Sequence, residues 1–415
     1  MSYASHLRGI ASGREYPADE IMNLDPVDNR PVEIVLDIER LKREHPDHDW
    51  YHPERLDLWR FGALLALDVN DAEDARHIVS LGEGATPLES ISDPLADRAG
   101  FSLLLKDEGM PRPGHGANPT LSFKDRGMAM VASQARRFGL EKLAVPTQGN
   151  AGDSLAAYAM AAGIQAAVIM PDDTPMPVLG RVAAMAKQHA NIHLDLVRGT
   201  IREAAALMKE RYLPEGYFSV ATFVEPGWRI EGKKTLGLEL AEPREPGGRW
   251  RVPDLIVYPT GGGTGILGMW KAFDELQALG LIDSRRPRMV AVQSAATPPV
   301  ANAFRDGRDE PEAVAAGETV ATGLNVAGGV GHFRVLEILR ASGGSAVAVD
   351  ETEIRASLRA LWQRGHRWIC PEGAACFAAL EPLTADGIIC KGDEVVIVNT
   401  ASLEKYLPDV RELLI

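Results

Sequence analysis

The scarcities of this chain narrow the field first. Only three of its 415 residues are cysteine (Cys370, Cys376 and Cys390), late in the chain and irregularly spaced. That argues against a disulfide framework and for a reducing compartment. There is no CxxC pair, so a thiolate zinc site lacks its ligands. No apolar run reaches the ~18 residues of a membrane-spanning helix. The opening MSYASHLRGIASGREYP has no apolar segment of the secretory kind, so a cytoplasmic protein is expected. Lys and Arg total 44 against 58 Asp and Glu, which argues against nucleic acid or an anionic membrane as the main partner. A local basic pocket for a small anion remains compatible with that balance. No repeat or low-complexity tract stands out.

What is present is strand–helix alternation. FSLLLKDE (101–108), KLAVPT (142–147), IQAAVIMP (164–171), NIHLDLV (191–197), DLIVYPT (254–260), RMVAVQS (288–294) and EVVIVNT (394–400) read as strands. Segments 122–139, 153–163, 178–190, 201–212 and 265–280 read as helices, two of them closed by Gly139 and Gly163. Upstream, VEIVLDIERLKREH reads as a strand entering a charged helix, and RLDLWRFGALLAL (55–67) has apolar residues at helical spacing. The pattern predicts an α/β fold with mainly parallel sheets and ligands at the carboxyl ends of the strands.

Four pieces carry candidate chemistry. NPTLSFKDRG (118–127) puts Lys124 near a helix start, where it is either a solvated helix lysine or a cofactor lysine. TGGGTG (260–265) joins an apolar strand to a helix. Its glycines Gly261, Gly262, Gly263 and Gly265, with Thr264, let backbone N–H groups converge on a phosphate at a helix N-terminus. The loop is neither a P-loop nor a GxGxxG fingerprint, and an empty strand–helix turn is the plain alternative. TQGNAGDS (147–154) is either a capped turn or a place for Asn150 and nearby amides to hold a ring hydroxyl or carboxylate. Thr400, ending the last strand, is either a helix cap or a hydroxyl presented at a strand's carboxyl edge.

In this order the four pieces resemble the fold type II pyridoxal phosphate (PLP) enzymes, the tryptophan synthase β-subunit superfamily, and within it threonine synthase. SLGEGATPL (80–88), RIEGKKT (229–235) and PEGAACFAAL (371–380) fall in family order. The resemblance implies two doubly wound α/β domains with PLP in the interdomain cleft. It implies a small mobile domain over 122–235, a large domain over 51–121 and 236–415, and an N-terminal extension over 1–50. It implies Lys124 as the Schiff-base lysine, Gly261 to Gly265 around the phosphate, Asn150 on the ring hydroxyl and Thr400 on the pyridine nitrogen. Thr147, Gln148, Asn150 and Ala151 would line the substrate carboxylate, and Arg229 would meet a substrate phosphate. A homodimer acting on an amino acid is the family expectation.

Departures from the family pattern are informative. Gly9, Ser12, Asp25 and Asp28 stand where many relatives place two Cys pairs, implying a ribbon remnant without zinc. Leu121 replaces a glycine. Gln148 and Ala151 replace hydroxyl residues. Glu225 lies where the family has asparagines and would repel a phosphate unless paired with a cation. The reading is therefore a PLP-dependent lyase, threonine synthase-type on O-phosphohomoserine. A threonine/serine-type ammonia-lyase is the alternative.

Overall fold

The apolar runs form strands because each is flanked by glycine or proline punctuation and has β-branched or small residues to bury on both faces. In the computed structural model, which describes residues 2–245, 247–365 and 367–415, the strands are β1 (Ala4–Gly9), β2 (Glu15–Pro17), β3 (Val32–Leu36), β4 (Leu88–Ser90), β5 (Ser102–Asp107), β6 (Lys142–Pro146), β7 (Gln165–Pro171), β8 (Ile192–Val197), β9 (Phe218–Ser219), β10 (Leu255–Pro259), β11 (Arg288–Ser294), β12 (Ser345–Val349) and β13 (Glu394–Asn399). They divide between two compact units, Met1–Ala85 with Gly116–Thr235, and Thr86–His115 with Leu236–Ile415. Residues 51–85 and 116–121, expected in the large domain, thus pack with the segment 122–235.

The first unit holds a parallel sheet in the order β8-β7-β6-β9. Ala144, Ala167 and Ile169 of this sheet pack with Met208, Tyr212 and Tyr217. The second unit holds a six-stranded sheet, β12-β11-β10-β13-β5-β4, parallel except for the edge strand β4. Leu255–Pro259 of β10 is buried throughout, as a central parallel strand covered on both faces must be.

The stretch 55–67 is not the helix its spacing suggests. Leu58–Leu64 forms tight 3₁₀ turns interrupted at Gly62, with φ +43° and ψ −122°. A side chain on Gly62 would lie 2.3 Å from the Trp50 carbonyl oxygen. Every residue of Leu58–Leu64 is buried, so no polar face stabilises a regular surface helix.

At the N-terminus, β1 pairs antiparallel with both β2 and β3. A hydrogen-bonded aspartate occupies the heart of this ribbon. Asp25, buried, accepts from Ser12 Oγ at 2.5 Å, Tyr16 OH at 2.6 Å and Val27 N–H at 2.8 Å. A Cβ on Gly9 would fall 2.0 Å from Asp25 Oδ2 and 2.2 Å from Ser12 Oγ, so three of the four family cysteine positions converge. Asp28 turns away and accepts from Arg30 N–H. Among the described residues, no group of three or more His, Cys, Asp or Glu could hold a metal ion. Burial pushes the Asp25 carboxyl up, but the Ser12, Tyr16 and Val27 donors outweigh it and hold the carboxyl below its usual value. Its stabilisation is therefore present above the ordinary aspartate range and lost as pH falls through the lowered value. Asp25→Ala is expected to cost about 3 kcal/mol by stranding these donors, measured by urea denaturation at neutral pH.

Candidate active site

Lys124 opens the helix Lys124–Arg137, and its amine lies 4.3 Å from the Phe123 ring centroid. The loop before it is tied down from several sides. Asp125, fully buried, accepts from Thr120 N–H at 2.7 Å, Thr120 Oγ1 at 2.6 Å and Ser154 Oγ at 2.6 Å. Ser154 belongs to the helix Asn150–Ala162, so one carboxylate locks the lysine loop to the neighbouring helix. Buried Lys233 donates to the Phe123 carbonyl, and its ammonium sits 3.4 Å from the Phe123 ring centroid. The helix Trp228–Ala241 comes this close because Gly232 has no side chain, and a Cβ there would lie 2.1 Å from the Arg126 carbonyl oxygen. Leu121 sits at φ +57°, a left-handed conformation that costs an L-residue ~1–2 kcal/mol. This geometry explains why a glycine suits the position. Ser122 Oγ is buried with no hydrogen-bond partner, next to the lysine loop.

β6 ends at Pro146 and delivers Thr147 into the turn before the helix Asn150–Ala162. Thr147 Oγ1 accepts from Gly149 N–H at 3.0 Å and Gly152 N–H at 3.3 Å. Its first duty is to shape the loop, and its own proton is not consumed by these bonds. Gly149 (φ 140°, ψ −93°) has a backbone only glycine adopts readily. Gln148, Asn150 and Ala151 are half-buried beside it.

Arg229 and Glu225 form a buried pair in the same unit. Glu225 Oε2 accepts from Arg229 N–H at 3.2 Å, and Arg229 Nη1 donates to the Val220 carbonyl at 3.1 Å. Glu225 Oε1 and Arg229 Nε make no hydrogen bond. Burial pushes the Glu225 carboxyl up to about 7 against the opposing Arg229 charge. Burial lowers the Arg229 pKa, opposed by Glu225.

The glycine loop and Thr400 lie in the second unit, at the carboxyl ends of adjacent parallel strands, β10 and β13. The helix Thr264–Ala278 starts at Gly263 (φ +92°) with no side-chain cap, so its first-turn N–H groups suit an anion. The loop is moulded without side chains. A Cβ on Gly261 would lie 2.3 Å from the Gly323 carbonyl oxygen, and one on Gly263 would lie 2.5 Å from Val335 Cγ2.

Residues that the sequence reading missed hold this loop. His332 Nδ1 accepts from Gly329 N–H at 3.1 Å, which makes Nε2 the protonated nitrogen that donates to the Gly261 carbonyl at 2.8 Å. Burial lowers the His332 pKa, against the bond to Gly261, and favours the neutral ring these two bonds require. Glu372 Oε1 accepts from Gly323 N–H at 2.8 Å and Tyr406 OH at 3.0 Å. Glu372, in PEGAACFAAL, and Tyr406, at the end of VVIVNTASLEKY (395–406), lay within motifs read beforehand, whereas His332 did not. Thr400 is buried, with Cys370 Sγ 3.8 Å from its hydroxyl.

The comparisons agree with this chemistry. The pyridoxal-phosphate dependent enzyme family profile matches residues 79–401. The threonine synthase of Methanosarcina acetivorans is 32% identical over 96% of this chain and 92% of its own length. That of Methanocaldococcus jannaschii is 29% identical over 95% and 91%. Among solved structures, a diaminopropionate ammonia lyase from Escherichia coli superposes with TM-score 0.64 at 18% identity, covering 88% of this chain and 95% of that one. A threonine deaminase from Solanum lycopersicum gives TM-score 0.62 at 22% identity, covering 80% and 88%. An uncapped helix behind a glycine cradle suits a phosphate, and a lysine on a locked loop suits an aldehyde. This chain belongs to the pyridoxal-phosphate dependent enzymes, as a threonine synthase-like member of fold type II.

Proposed function

We propose that this protein converts O-phosphohomoserine and water to threonine and inorganic phosphate. The observation that carries the reading is the similarity to threonine synthases, which extends over 96% of the chain and so beyond residues 79–401. Gly261, Gly262, Gly263, Thr264 and Gly265 would hold the cofactor phosphate, Asn150 its ring hydroxyl and Thr400 its pyridine nitrogen. Thr147, Gln148, Asn150 and Ala151 would receive the substrate carboxylate. Bound PLP supplies the sink for electrons released at Cα. Lys124 Nζ takes the proton from Cα and then one from Cβ, and phosphate leaves Cγ. Lys124 would return a proton to Cγ, water would add its hydroxyl at Cβ while its proton goes to the released phosphate, and Lys124 would return a proton to Cα to complete threonine. Arg229 would hold the phosphate through the departure. A cytoplasmic homodimer is part of the same reading, with sedimentation of the purified protein testing the assembly.

The deciding assay gives O-phospho-L-homoserine to the PLP-loaded protein and follows phosphate and threonine together. Equal release of both supports the reading. An intact cofactor absorption band with neither product overturns it. The ammonia-lyase reading, favoured by Gln148 and Ala151 in place of hydroxyl residues, would then be tested with serine and threonine for 2-oxo acid formation.

Glu225 adds a pH signature. Below about 7 it is neutral and leaves the Arg229 charge available, whereas above that value its carboxylate opposes an incoming anion. Its folded pKa is raised, so the stability it contributes at acid pH is also lost as pH rises from the ordinary glutamate value towards 7. KM for the phosphorylated substrate should therefore rise about tenfold between roughly pH 6 and pH 8. Glu225→Gln should remove that rise. Identical profiles for the two proteins would contradict the assignment.

A further inference from the structure

We propose that the second unit carries a separate ligand site, for a small carboxylic acid with an apolar tail such as a neutral α-amino acid or its 2-oxo acid. A cavity of about 570 Å³ opens between the loops following β4 and β5 and the end of the helix Glu351–Gly365. That volume falls among small-molecule sites. No residue of its wall belongs to the lysine loop, the glycine loop or the Thr147 and Arg229 segments.

The wall is built for an anion with a greasy end. Arg112, Arg364 and Arg367 face two carboxylates, Glu89 and Asp93, leaving one positive charge in excess. The guanidiniums of Arg112 and Arg367 are not closed onto Glu89, and Arg364 makes only a long hydrogen bond to Asp93. Arg112 stands 3.8 Å and Arg367 3.6 Å from Glu89, and Arg364 stands 3.4 Å from Asp93. Some arginine pairs elsewhere in this unit close fully, while others, such as Arg285 with Asp254 at 3.4 Å, stay open. Arg244 and Arg251 reach Glu394 at 2.7 and 2.9 Å, and Arg288 reaches Asp393 at 2.7 Å, the ordinary range for charge-assisted hydrogen bonds. Arg112 Nε is buried and makes no hydrogen bond, although its long, flexible side chain sits beside a carboxylate. A carboxylate bound between Arg112 and Arg367 satisfies that donor and neutralises the excess charge. Asp93 is already engaged in capping the helix Pro94–Ala99, accepting from Leu95 N–H at 2.9 Å. The opposite side, Leu361, Trp368 and Phe377, supplies apolar and aromatic surface for the tail.

The wall is joined to the chain just past Thr400. Leu403 N–H donates to the Trp368 carbonyl at 3.2 Å, and Ser402 Oγ contacts Met110 Sδ at 3.6 Å.

The test uses holoenzyme treated with borohydride, which fixes the cofactor on its lysine so that an amino acid cannot enter there by exchange. Titration calorimetry with L-leucine, with 4-methyl-2-oxopentanoate and with leucinamide separates the sources. Saturable binding of either acid at one site per chain is expected, with leucinamide, which lacks the carboxylate, silent. The responding acid identifies the source. Arg112→Gln and Arg367→Gln, both partly exposed in the wild type, should each weaken binding about tenfold or more with the cofactor absorbance unchanged. No heat from either acid at millimolar concentration overturns the proposal, as does binding that survives both substitutions.

Discussion

Lys124→Ala is expected to lower turnover of O-phosphohomoserine by about 10,000-fold or more while the protein still folds. In the proposed sequence every proton taken from or returned to carbon passes through that amine. The loop is also held by contacts that do not involve that amine. Asp125 ties Thr120 to Ser154, Lys233 holds the Phe123 carbonyl, and Arg126 donates to Thr235 Oγ1 at 3.0 Å, all independently of the 124 side chain. The variant should therefore show an unchanged far-ultraviolet spectrum and thermal midpoint. It should lose the absorption band of lysine-bound cofactor, and added methylamine should restore part of the turnover. Retention of more than about a tenth of wild-type turnover would remove Lys124 from the proton path. Asp125→Ala separates chemistry from positioning. It leaves the amine in place and strands buried donors, so kcat and stability should fall together, with no rescue by methylamine.

The sequence made the alternation of strands and helices legible because each parallel strand is a short apolar run with its own punctuation, a local signal. The lysine and glycine loops were legible for the same reason, since each is one contiguous stretch at a strand–helix junction. What could not be read arises from contacts across long separations. His332 lies 71 residues from Gly261, and Glu372 lies 49 from Gly323, with no periodicity linking either pair. The stretch 55–67 misled because apolar spacing cannot distinguish a helix from a wholly buried irregular segment, and Gly62 decided between them. Glu225 looked like an obstacle to a phosphate when read alone. Its burial, outweighing the Arg229 charge and the bond to Arg229 N–H, turns it into a group whose charge depends on pH near 7. In the N-terminal ribbon, the bonds that Asp25 accepts from Ser12 and Tyr16 join residues of different turns, and sequence spacing gave no sign of them.

Gly261→Ala is expected to weaken cofactor retention about 30- to 100-fold, the second large effect. The added methyl would lie 2.3 Å from the Gly323 carbonyl oxygen, so either the 261–265 loop or the 323 turn must move. Neither side yields easily. The Gly261 carbonyl is held by His332, and the Gly323 N–H by buried Glu372, itself held by Tyr406. Overpacking at such a point costs about 2–3 kcal/mol, which corresponds to that loss if the strain is relieved by displacing the loop N–H groups from the phosphate. The measurement is the apparent dissociation constant for PLP, by absorbance, in wild type and variant. Gly180→Ala serves as the control, because nothing lies within 4 Å of its Cβ position in the helix Met176–Gln188, and it should bind PLP normally. His332→Ala should weaken PLP in the same direction and by less, because it frees the Gly261 carbonyl without forcing it to move. Burial lowers the His332 pKa and its Nδ1 accepts a hydrogen bond, so the folded ring resists protonation while the unfolded ring takes a proton below the ordinary histidine value. Stability from this site is therefore present at neutral pH and lost on acidification. Cofactor release from the wild type should speed up only once pH falls below the ordinary histidine range, whereas His332→Ala should show a flatter profile. Normal PLP affinity in Gly261→Ala, with the fold intact, would place the phosphate somewhere other than the 261–265 loop.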